Sequence, residues 1–89
     1  MTRLRDMQGL GPKSEEMLAR AGITTPEQLR ADGAIQAFLK VKRAGIPVSL
    51  NLLWALEGAI SGEHWKDVAR LHRTSLLLAL SHAEESSMS

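Results

Sequence analysis

Apolar residues come in short clusters along the chain, each bounded by glycine, proline or polar residues, and the spacing inside the clusters is helical rather than alternating. Leu4 and Met7 lie three apart, with Arg3, Arg5 and Asp6 left for water, which predicts a short helix over residues 1–7 ended by Gly9-Leu10-Gly11. Pro12 suits the first position of a second helix, because its missing N–H is unneeded there and its φ is already helical. Ser14, Glu15 and Glu16 follow in the first turn, where polar and negative groups complement the helix dipole. Gly22 suits the left-handed position after that helix, and Ile23 then returns onto Leu18.

Thr25, Pro26 and Gln28 have the spacing of a capping box, so a third helix runs from Pro26 to about Asp32 and buries Leu29. Gly33 resets the chain. The run AIQAFLKVKRA, with Ile35, Phe38, Leu39 and Val41 apolar, predicts a fourth helix closed by Gly45 and Pro47. Ser49 is placed to cap a fifth, LNLLWALEGAI, whose apolar residues cover nearly the whole circumference at about 100° per residue. Such a helix belongs in the middle of a bundle. Within it, Glu57 sits between Leu53, Trp54 and Ile60 and needs a partner or a place at the core boundary. Gly58 costs about 1 kcal/mol in propensity relative to Ala, which marks a close approach by another helix.

After Gly62, Trp65, Val68, Ala69, His72, Leu76, Ala79 and Leu80 form one stripe of a last helix. Leu71, Leu77 and Leu78 fall off it, and they are candidates for a partner interface unless the helix breaks near Arg73 and buries them. The tail HAEESSMS has little to bury, so residues 83–89 are expected to be disordered beyond a single domain over residues 1–82. The expectation for the whole is an all-α, compact bundle of five to six helices.

Composition narrows the picture. Only three aromatics, Phe38, Trp54 and Trp65, are present, so the core is aliphatic. With no cysteine there is neither a disulfide framework nor a thiolate metal site, and a reducing cytoplasm is the simplest home. No apolar run approaches the roughly 20 residues of a membrane span, and MTRLRDMQG lacks the core of a signal peptide. The net charge of +1 does not resemble a dedicated nucleic-acid binder, so any basic face must be local. Lys40, Lys42 and Arg43 form one such cluster, and Lys66, Arg70 and Arg73 another.

Chemistry has few footholds. His64, His72 and His82 stand eight and ten residues apart, which is not the i, i+4 spacing of a helical metal pair. No Gly-x-Ser-x-Gly, His-Glu-x-x-His or glycine-rich phosphate loop occurs. The reading is therefore non-enzymatic, with no catalytic residue, metal or cofactor.

The stretch GLGPK serves either of two uses. Gly9, Leu10 and Gly11 can turn backbone N–H groups outward beside a helix N-terminus, with Lys13 adding a charge for a phosphate oxygen. The same residues also make a tight corner, for which Gly11 is expected to be indispensable. Glu15 and Glu16 stand within a turn of that site and oppose an anion there. A single corner neutralises one or two phosphates, whereas useful nonspecific affinity comes from on the order of 6 to 10 contacts.

The pattern from Met7 through Gly9-Leu10-Gly11-Pro12-Lys13 to Gly22-Ile23 resembles a helix-hairpin-helix motif. More broadly, LGPKSEEMLARAGI and SLNLLWALEGAISGEHW resemble the C-terminal domain of the TfoX (Sxy) proteins, over roughly residues 8–82. That resemblance implies a SAM-like or helix-hairpin-helix-like fold, found also without an N-terminal partner domain. It further implies a regulatory role in bacterial competence for DNA uptake and no catalytic residues. The leading expectation is an interaction domain for a protein partner, which includes a second copy of the chain. The alternative is a nucleic-acid-binding module using Gly9, Leu10, Gly11 and Lys13, helped by Lys40, Lys42 and Arg43.

Overall fold

The computed structural model describes residues 3–88. A 3-10 turn, Leu4–Asp6, is followed by five helices: α1 (Pro12–Arg20), α2 (Pro26–Arg43), α3 (Leu50–Ser61), α4 (Trp65–Leu71) and α5 (Arg73–Met88). There is no strand among the described residues. The chain is an all-α bundle, as its periodicity requires.

The segment before the glycine corner differs from expectation. It is a single turn rather than a helix over residues 1–7, of which Met1 and Thr2 lie outside the described residues. So short a helix cannot recover its nucleation cost. Asp6 instead turns back to accept from the Arg3 N–H at 3.0 Å, and Met7 is already extended at φ −74° and ψ 146°. Leu4, Met7 and Leu10 are buried, so the segment is held by its apolar residues.

The local signals around α1 and α2 act as the sequence predicts. Gly22 has φ 89°, and the Ile23 N–H donates to the Leu18 carbonyl at 2.8 Å, with both side chains buried. At the start of α2 the Gln28 N–H donates to Thr25 Oγ1 at 3.2 Å, while Gln28 Oε1 accepts from the N–H groups of Thr24 and Thr25. Gly33 interrupts α2 with φ 82° and ψ 162°, a conformation only glycine enters freely, and this separates the two predicted helical pieces. Lys40 Nζ spans the break to Asp32 Oδ2 at 2.7 Å.

α3 lies in the middle, packed against α2 and α4, with Leu52, Leu53, Trp54, Leu56, Gly58 and Ala59 buried. Ser49 is its N-cap by backbone geometry, but the hydroxyl makes no capping hydrogen bond. Glu57 is half-buried, at the core boundary. Gly58 is crowded by backbone rather than by another helix's side chains, because a Cβ there would stand 2.6 Å from the Glu63 carbonyl oxygen and 3.5 Å from the Trp65 nitrogen.

The last predicted helix is two helices, broken at His72 (φ −118°, ψ 7°). Glu63, just before α4, holds the His72 ring from Oε1 at 3.1 Å and Oε2 at 3.2 Å, a tie between the two ends of α4. The break changes the helical phase, so Leu77 packs against the core while Ala79 is exposed. Residues 83–88, expected to leave the fold, continue α5. Ala83 packs against the core, and Glu84 Oε1 accepts from Lys42 Nζ of α2 at 3.3 Å.

Candidate functional site

The glycine corner opens onto a cleft of about 470 Å³. Gly9 lines it, together with Lys13, Ser14 and Met17 of α1 and with Pro47, Val48 and Ser49 from the loop before α3. Asn51, Leu52 and Ala55 of α3, with Trp65 of α4, complete it. The floor is apolar and the rim carries a few polar groups, the general make-up of a binding cleft. Trp65 is positioned by the cap of α4, where His64 Nδ1 accepts from the Lys66 N–H at 3.1 Å. The two rings stack at 5.8 Å, and Lys66 Nζ lies 5.7 Å from the Trp65 ring centre.

Gly9, not Gly11, makes the corner. Gly9 has φ 84°, whereas Gly11 is extended (φ −114°, ψ −175°), and a Cβ on Gly11 would have nothing within 4 Å. The expectation that Gly11 is indispensable therefore fails, since an extended backbone accepts any side chain. At Gly9 a Cβ would meet only Ala55 backbone, its carbonyl oxygen at 3.8 Å and its Cα at 4.0 Å, both ordinary contacts, so the cost there is one of conformation. Gly9→Ala is expected to destabilise by about 1 kcal/mol and Gly11→Ala by no more than about 0.5, measured by urea unfolding.

Leu10 is buried and its N–H donates to the Met7 carbonyl at 3.1 Å, so it has no donor to offer a ligand. Glu15 is turned away from the anion position. Arg5 grips its carboxylate from Nε at 2.9 Å, from its terminal nitrogen at 2.8 Å and from its backbone N–H at 3.2 Å. These side-chain and then backbone hydrogen bonds from Arg5 hold the Glu15 carboxyl below its ordinary value of 4.5. A carboxyl lowered on folding stabilises fully above that ordinary value, and its contribution is lost as pH falls through the folded value. Glu15→Gln is accordingly expected to lower the urea midpoint at pH 7, with the difference from the parent vanishing in acid.

Of the other predicted cations, Lys40 is paired with Asp32 and Lys42 with Glu84, and neither they nor Arg43 line the cleft. Among the described residues, Lys13 alone brings charge to the lining, and no carboxylate pairs with it. The predicted leucines divide. Leu71 and Leu78 are 61% and 67% exposed, while Leu77 is partly buried against the core. No helix is long and apolar enough to cross a membrane, and no cluster of three or more potential metal ligands occurs, among the described residues.

This helical arrangement and its sequence have known relatives. Residues 1–80 match the family model of the TfoX C-terminal domain. The chain belongs to that family. It is 38% identical over 64 residues to the DNA transformation protein TfoX1 of Aliivibrio fischeri, covering 71% of this chain and 31% of that protein. It is 30% identical over 80 residues to the DNA transformation protein TfoX of Haemophilus influenzae, covering 90% of this chain and 37% of that protein. The chain thus spans about a third of the length of the curated relatives it matches. A crystal structure of an uncharacterized protein from Listeria monocytogenes superimposes with a TM-score of 0.81 at 30% identity, covering 93% and 94% of the two chains.

In this TfoX C-terminal domain, sequence reasoning missed the cleft although it singled out Gly9 and Lys13. Trp65 falls on an apolar stripe and reads as core, yet it is half-buried and lines the cleft. Pro47, Val48 and Ser49 read as a connection between helices. The available signal was a proline-containing loop beside a helix that is apolar around most of its circumference, which says that α3 starts at a surface but not what it faces.

Proposed function

We propose that this chain is a regulatory interaction domain that acts in bacterial competence for DNA uptake by holding a protein partner. The observation that carries the reading is an apolar-floored cleft in a TfoX C-terminal domain that is 38% and 30% identical to two DNA transformation proteins. Leu71 and Leu78, exposed beyond what the core requires, add apolar surface elsewhere on the domain.

The test is transformation frequency in the source bacterium after deletion of the gene and complementation. Deletion is expected to lower the frequency, the parent chain to restore it, and Trp65→Ala to restore it poorly. An unchanged frequency on deletion overturns the reading. Direct DNA contact competes with it, since Gly9 and Lys13 both line the cleft. Titration of labelled duplex DNA at several salt concentrations separates the two. Binding that weakens steeply with salt and is lost in Lys13→Glu would favour DNA, whereas absence of binding at low salt leaves the protein partner.

A further inference from the structure

We propose that the cleft at the glycine corner binds a short acidic peptide segment, seating an apolar side chain on its floor and a carboxylate at Lys13. The inference rests on the partner-binding reading above and specifies the partner's chemistry. A volume of about 470 Å³ lies within the range of cavities that enclose small ligands, so the cleft takes an anchor side chain with its flanking backbone rather than a whole domain face. Met17, Leu52, Ala55 and Trp65 supply the floor for that anchor.

Charge complementarity selects the flanking residues. The chain as a whole carries only +1, and among the described residues the one charged side chain in the lining is a cation. Lys13 lines the cleft without a carboxylate partner among the described residues, and Lys66 stands over the ring of Trp65. No acidic residue lines the cleft, and Glu15, which shares the first turns of α1 with Lys13, is consumed by Arg5. An anionic residue beside the anchor gains both cations against the single carboxylate of Glu16, which lies outside the lining, whereas a basic segment meets two like charges. A nucleic-acid strand would find charge for one or two phosphates and only one aromatic face for its bases, so the peptide is favoured.

The experiment uses the full chain as bait for a random heptapeptide library displayed on phage. The strongest selected peptide, labelled with fluorescein, is then titrated by anisotropy. Selected sequences are expected to pair Asp or Glu with a large apolar residue. Binding is expected to weaken about tenfold or more in Lys13→Glu and in Trp65→Ala, and to recover partly in Lys13→Arg. Far-UV circular dichroism of each variant identifies any loss due to unfolding. In that case Ser49→Trp, which fills the cleft from an exposed position, replaces the unfolded variant and is expected to weaken binding similarly. No enrichment, enrichment of basic or uncharged peptides, or affinity indifferent to Lys13→Glu overturns the proposal. If transformation still depends on the gene in that case, the regulatory reading stands and only the cleft's chemistry falls.

Discussion

Leu56→Ala is expected to destabilise the domain by about 3 to 4 kcal/mol. Leu56 is 0% exposed and sits on the central helix α3, between the elements on either side. Removing its side chain loses the transfer free energy of the deleted carbons and leaves a cavity that the surrounding core closes only in part. At roughly 0.05–0.15 kcal/mol per residue, a chain of 89 residues has a total stability of roughly 4–13 kcal/mol, so this one truncation removes a large share of it. Leu78→Ala is the matched comparison. Leu78 is 67% exposed, and its loss is expected to change stability by no more than about 0.5 kcal/mol. Urea unfolding of both variants, followed by circular dichroism, reads the contrast directly. Similar midpoints for the two would contradict the placement of α3 at the centre.

Gly58→Ala is expected to destabilise by about 2 kcal/mol, although alanine is the better helix former by about 1 kcal/mol. The sign is decided by space. The new Cβ would stand 2.6 Å from the Glu63 carbonyl oxygen, and that oxygen belongs to backbone that cannot rotate aside as a side chain would. The chain leading into α4 must move as a unit, and with it Trp65 and the Glu63–His72 contact. The measurable consequence is twofold: a lower urea midpoint, and altered fluorescence of a Trp54→Phe background in which Trp65 is the only remaining tryptophan. A Gly58→Ala domain more stable than its parent would mean that helix propensity outweighs the close approach.

Much of the helical layout was legible because it is written in short-range chemistry. Gly22 with Ile23, and Thr25 with Gln28, complete their hydrogen bonds within six residues, so their outcome depends on little beyond those residues. The apolar circumference of α3 likewise left only one place for it to go, since an exposed face would be too costly. At Gly58 the sequence announced a close approach but assigned it to another helix, where the structure has the backbone of Glu63 leading into α4.

The site was less legible because its parts come from distant stretches. Gly9 and Gly11 are two residues apart and chemically identical. Only the path of the folded chain past Ala55 gives one of them positive φ and leaves the other extended. The leucines of the last helix were ambiguous for a related reason. The phase change at His72 is accompanied by a side-chain contact to Glu63, nine residues earlier, and a regular 3.6-residue stripe carries no mark of such a contact.

By itself the sequence determined the all-α class, most of the helix boundaries, the central position of α3, and the family, because each rests on local hydrogen bonding, hydrophobic periodicity or a contiguous motif. Tertiary structure alone decided that Arg5 removes Glu15 from the corner, that Leu77 packs against the core while Leu71 and Leu78 stay outside, and that Lys13 and Trp65 line one cleft. Those outcomes depend on which surfaces meet after the helices form. Burial and electrostatic pairing between residues far apart in the chain are settled by the packed arrangement and by nothing shorter.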